Sequence, residues 1–149
     1  MSIVLAQSYW AFTDNFIGAA NLILDQENPK HYLPTLYLLC HAYELTLKTF
    51  LIAHELPVGK LKKDFGHDLG KLLHEANARG LSKLVKISEN ETSTVAAFNG
   101  YYKDKDMPLK YFSPTHKSFP SIAKLRALVI RTHKAVADVV VKKSFEQLE

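Results

Sequence analysis

Cysteine is nearly absent: Cys40 is the only one in 149 residues. That excludes an intrachain disulfide framework and a thiolate zinc site. Glycine and proline are scarce, six of each, and stand at the seams between apolar-periodic segments. Arginine is rarer still, with Arg79, Arg126 and Arg131 against 16 lysines and a net charge of only +4. Lysine spread this way keeps a protein soluble and is weak support for nucleic acid by itself. The start, Met1-Ser2-Ile3-Val4-Leu5-Ala6, has neither the basic residues nor the cleavage site of a signal peptide. No apolar stretch of membrane-spanning length is free of charges. A cytoplasmic protein without a membrane partner is expected.

What is present is helical periodicity. Apolar residues recur at three-four spacing nearly throughout, predicting one all-α domain over 1–149, a bundle of four or five helices. The first helix is expected over 3–25, with Tyr9, Phe12, Phe16, Ala19, Ala20 and Ile23 facing inward. The second runs over 29–55, starting nearer His31-Tyr32 because Pro34 falls in its early turns. A polar loop over 57–66 leads to a short helix over 68–79, closed by Gly80. Ser88-Glu89-Asn90-Glu91 has the form of a capping box and opens a helix reaching residue 102. A loop over 103–119 precedes the last helix, 120–145, with Ser118 as its expected cap.

Inside the second helix lies a charged pair, Glu44 and Lys48, one turn apart in the favourable order. Leu36, Leu39, Cys40, Tyr43, Leu47 and Phe50 surround it, so a buried carboxylate is expected, which is costly unless satisfied. His67-Asp68 follows downstream; His67 either hydrogen-bonds Glu44 or caps the short helix. Glu44, Lys48, His67 and Asp68 are thus read as a polar cluster, primarily structural. No further ligands at helical spacing converge on it, so no metal and no cofactor is expected. His41, His54 and His74 stand singly on helices and need no special role. On the last helix, Ile122, Leu125, Val129, Val136, Val139 and Val140 define the inward seam. At about 100° per residue, Arg126 and His133 point nearly the same way on its flank, and Lys124 and Arg131 face away.

His41-Ala42-Tyr43-Glu44-Leu45-Thr46-Leu47-Lys48, Gly66-His67-Asp68-Leu69-Gly70-Lys71-Leu72-Leu73 and Asn99-Gly100-Tyr101-Tyr102 with Leu109-Lys110-Tyr111 together resemble the HEPN (higher eukaryotes and prokaryotes nucleotide-binding) domains. The resemblance covers nearly the whole chain and implies an up-and-down helical bundle that dimerises through its helices. Many members are metal-independent endoribonucleases of toxin-antitoxin or defence systems, using an Arg-x(4–6)-His motif from each subunit; others are binding modules, some beside a nucleotidyltransferase. Arg126 and His133 form an Arg-x6-His candidate. The arginine would clamp a phosphate and the histidine would move a proton at the 2′-hydroxyl. Lys110 and His116 are the alternative, nearer the family's position but with lysine in place of arginine. Tyr101, Tyr102 and Tyr111 are candidates either to stack bases or to pack against the last helix.

Two functions therefore stand open beside a third and plainer one, a structural helical dimer with no nucleic-acid role. One is a HEPN-like homodimer that associates with RNA, a nucleotide, an antitoxin or a nucleotidyltransferase partner. The other is a metal-independent endoribonuclease. They separate on geometry: the enzyme needs Arg126 and His133 reachable across a cleft, whereas the module permits either to be packed or ion-paired.

Overall fold

A computed structural model describes residues 2–27, 30–103 and 121–148. Six α-helices and no strand occur among the described residues: α1 (Ser2–Leu24), α2 (Tyr32–Ala53), α3 (Val58–Lys60), α4 (Leu69–Ala78), α5 (Glu89–Tyr102) and α6 (Ile122–Glu146). The architecture is an all-α bundle, with α2 in contact with α1, α4, α5 and α6.

α2 is the centre because its apolar residues run round the whole helix. From residue 42 onward only Leu45 is not fully buried until the helix ends, the pattern of a helix with no solvent face. By length and composition α2 could cross a membrane, yet most of it is buried inside the bundle. Pro34 is accommodated in its first turn, where the missing N–H has no helical partner to lose.

α1 lies along α2 on a seam of Ala6, Thr13, Ile17 and Ala20. This differs from the expected inward set. Tyr9 and Phe16 flank the seam half-buried, and Phe12 is exposed. Ala6, Thr13 and Ala20 on that seam are small, and the aromatics stand at its edges.

Within 57–66, expected as a loop, residues 58–65 are helical. Leu61 is buried and anchors α3, after which the chain widens into a π-turn over Leu61–Phe65 closed by Gly66 N–H donating to the Leu61 carbonyl at 3.0 Å. Gly66 (φ 54°, ψ −117°) then reverses the chain in a conformation that side-chain-bearing residues rarely adopt. Asp68, not His67, caps α4, its carboxylate accepting the Lys71 N–H at 3.1 Å. The capping box at Ser88 has both its bonds: Glu91 N–H to Ser88 Oγ at 3.2 Å and Ser88 N–H to Glu91 Oε2 at 2.9 Å. α6 is capped by Ser121, whose Oγ accepts the Lys124 N–H; the expected cap Ser118 lies outside the described residues.

Candidate functional site

Glu44 projects from the middle of α2 and is only 1% exposed. Four side chains meet its two oxygens. Lys48 Nζ donates to Oε1 at 2.5 Å, one helical turn on. Tyr102, at the end of α5, donates its hydroxyl to Oε2. His67 Nδ1 lies 3.2 and 3.1 Å from Oε1 and Oε2. His41 Nδ1, one turn before Glu44, is 3.6 Å from Oε2 and 2.9 Å from the Tyr102 hydroxyl.

Burial alone would push the Glu44 carboxyl up. Hydrogen bonds from His41, Lys48 and Tyr102, with the Lys48 charge, outweigh it and hold the group at about 2. The same negative charge, added to burial, raises the Tyr102 phenol well above its ordinary value and helps push the Cys40 thiol up to about 12. Cys40 is therefore an inert core thiol.

A second tier lies beside this one. Asp68 accepts from Asn99 Nδ2 at 2.9 Å as well as from Lys71 N–H, and Lys103 Nζ stands 3.3 Å from its other oxygen. Asn99 Oδ1 in turn accepts the buried Leu69 N–H at 2.8 Å. Burial opposes the Asp68 charge, but the Asn99, Lys71 and Lys103 contacts win and lower its pKa. The polar cluster read from the sequence thus holds Glu44, Lys48, His67 and Asp68 in adjoining tiers and adds His41, Asn99, Tyr102 and Lys103. His41, read as needing no special role, was legible in principle at three residues from Glu44 on one helix face. Tyr102 was not, since its contact to Glu44 spans 58 residues of sequence. With its ring buried, Tyr102 leaves little face for a base; Tyr101 is half-buried on α5.

Arg126 and His133 both face α1. Arg126 Nε donates to Asn21 Oδ1 at 2.8 Å, and its terminal nitrogen pairs with Asp25 at 2.7 Å. His133 is 7% exposed and stacks on Trp10, with ring centroids 4.9 Å apart. Its Nε2 lies 3.5 Å from Asp14 Oδ1 as an ion-pair contact, and Nδ1 has no hydrogen-bond partner. Burial lowers the His133 pKa, with Asp14 opposing. Arg131 is exposed on the solvent side of α6, as expected, and there donates to the Lys86 carbonyl and to Glu91, tying α6 to the start of α5. Lys110, Tyr111 and His116 lie outside the described residues.

Two concavities flank these groups. One, about 360 Å³, lies between α1 and α6 and is apolar, lined by Trp10, Val140, Val141 and Phe145 among others. The other, about 510 Å³, lies between α4 and α5 and is bounded by Gly70, His74, Asn77, Asn99, Gly100 and Lys103. Among the described residues no three His, Cys, Asp or Glu side chains converge as a metal ion would need. No family model, curated protein or solved structure matches the chain.

Proposed function

We propose that the chain is a HEPN-like helical module, a homodimer that associates with RNA or a nucleotide and docks onto a partner protein. An antitoxin or a nucleotidyltransferase is the kind of partner the resemblance implies, in a cytoplasmic setting without a membrane. The observation that carries the choice of a module over a nuclease is the engagement of Arg126 with Asn21 and Asp25 and of His133 with Trp10. An arginine clamped by its own subunit has fewer donors for a scissile phosphate, and a buried imidazole is poorly placed to exchange protons with water. Self-association is supported by exposed apolar side chains on the two helices that border the apolar groove, Phe12 and Leu22 on α1 and Val141 and Phe145 on α6.

A second reading, metal-independent endoribonuclease activity through Arg126 and His133, is favoured by one specific feature. His133 Nδ1 is buried without a hydrogen-bond partner, and Nε2 has only the 3.5 Å approach of Asp14, a condition that buried polar groups rarely tolerate without a functional reason. The discriminating experiment is RNA cleavage and RNA binding in EDTA by the purified dimer, comparing wild type with His133→Ala and His116→Ala. Binding without cleavage is the expected outcome. Cleavage lost only in His133→Ala would establish the nuclease, and cleavage lost only in His116→Ala would move the site to Lys110 and His116.

A further inference from the structure

The outward face of α1 carries no charge. At about 100° per residue, Val4, Ser8, Ala11, Asn15, Gly18 and Leu22 form one stripe opposite the buried seam, and all six are exposed. Val4 is 61% and Leu22 77% exposed, and Phe12, on the flank of the stripe, is 61% exposed. Asp14, the only charged residue within α1, turns aside toward His133 on α6. The exposed residues of α6, by contrast, include Lys124, Arg131, Lys134, Asp138 and Lys142, as expected of a helix surface that faces water.

Two details of the stripe have no cause inside the chain. Gly18 stands in mid-helix, where glycine is less stable than alanine, yet a β-carbon there would meet nothing within 4 Å. Ser8 and Asn15 are the only polar side chains of the stripe. They donate back to the Val4 and Ala11 carbonyls at 3.1 and 3.0 Å, so those donors are spent on the helix's own backbone. Bare backbone at Gly18 and inturned polar groups suit the close approach of another helix.

The two ends of the stripe differ in shape. At the N-terminal end Ser2, Val4, Leu5 and Ser8 bound a hollow of about 380 Å³. At the other end, about 27 Å along the helix, Leu22 stands out as a knob. The spacing 4, 8, 11, 15, 18, 22 is symmetric about Thr13. A second α1 running the opposite way therefore sets Leu22 against the hollow at Val4, Gly18 against Ser8 and Asn15 against Ala11, twice over. That is the self-complementarity a two-fold contact requires. A parallel pair would place knob on knob and hollow on hollow, and antiparallel packing also opposes the helix dipoles. The uncharged face lets two chains of net charge +4 meet without like charges in contact. A membrane surface is the poorer fit, because α1 has no Lys or Arg to meet lipid headgroups.

We infer that a second copy of this chain covers α1 through an antiparallel α1–α1 contact centred near Thr13, with Leu22 of each protomer seated in the hollow beside Val4 of the other. This rests on the homodimer reading above and gives that dimer its surface. A contact along about 35 Å of helix is at the small end of specific interfaces, so the dimer is reversible and concentration-dependent.

The experiment is analytical ultracentrifugation over a concentration series, with each protein checked for helicity by circular dichroism. The variants are Gly18→Leu, Val4→Lys, Leu22→Glu, the double variant Val4→Lys/Leu22→Glu, Val141→Lys and Leu84→Lys. All of these positions are exposed or have room for a side chain, and Leu84 lies outside α1. Wild type is expected to dimerise, with a dissociation constant raised about tenfold or more in Gly18→Leu, Val4→Lys and Leu22→Glu and unchanged in Leu84→Lys. The double variant should recover toward wild type, because its two new charges face each other across the antiparallel contact. A double variant no better than either single one overturns that register. If Gly18→Leu and Leu22→Glu dimerise like wild type, the contact is elsewhere and the homodimer reading stands without it; loss in Val141→Lys alone would then move it to the α1–α6 groove. If wild type is monomeric throughout, the homodimer reading fails and this surface fails with it.

Discussion

His133 lies flat against Trp10, their ring planes 9° from parallel, in a contact that joins α6 to α1. Trp10 is the only tryptophan, so its fluorescence reports on this seam alone. Burial lowers the folded-state pKa of His133 below the ordinary 6.5. As pH falls below about 6.5 the unfolded chain takes up the proton first, so stability drops. Urea unfolding followed by Trp10 emission at pH 7.5 and pH 5 is expected to show that drop. It should be smaller in His133→Gln, which has no such proton to bind. His54 is depressed in the same direction and is unchanged by the substitution, so the difference between the two proteins isolates His133. An equal drop in both would mean that His133 is not held neutral by the fold.

Glu44 titrates in the opposite sense. Its folded value of about 2 lies below the ordinary 4.5. Its contribution is complete above about pH 4.5 and is lost as pH falls toward 2, because the unfolded chain protonates first. Glu44→Gln leaves Lys48 without its counter-charge and is expected to cost about 3 kcal/mol at pH 7. The gap between the two proteins should narrow toward pH 2. A gap independent of pH would mean that the contribution is packing and not charge.

Arg126 behaves as a half-exposed tether. Its pair with Asp25 is open to solvent on the carboxylate side, so Arg126→Ala is expected to destabilise by only about 0.5–1 kcal/mol. A double-mutant cycle with Asp25→Ala in thermal unfolding should return a coupling below about 1 kcal/mol. A coupling of several kcal/mol would make the tether a principal fastening of α1 to α6.

Gly66 governs the approach of His67 to Glu44. A β-carbon there has room, with only the Lys62 carbonyl at 4.0 Å, so the penalty for Gly66→Ala lies in the backbone. A loss of about 1–3 kcal/mol is expected in urea unfolding, together with a shift of the His67 ring resonances. Wild-type stability with unmoved resonances would show that the turn relaxes without strain.

The sequence carried those features whose partners are close along the chain. Glu44 and Lys48 are one turn apart, Ser88 and Glu91 form a local reciprocal cap, and the α6 seam follows from three-four spacing. All of these depend on helical geometry alone. What it did not carry depends on distant packing. Tyr102 reaches Glu44, and Asn99 reaches Asp68 and Leu69, only because α5 docks beside α2 and α4. Arg131 turns toward Glu91 for the same reason. Phe12 stands outside the inward face of α1, and its hydrophobicity alone does not encode that. The helical turns over 58–65 were hidden because lysines dominate that stretch and Leu61 is its single buried anchor.

The burial of α2 on every side in its later turns makes helical phase as restrictive as residue identity. One residue inserted between Leu39 and Tyr43 would rotate Glu44 and everything after it by about 100° against the turns before. Glu44 would swing away from Tyr102 and His67, and Leu47 and Phe50 would leave their buried positions. No solvent face exists there to absorb the misfit. Length in this helix is therefore quantised: conservative replacements can be repacked, but single insertions and deletions cannot.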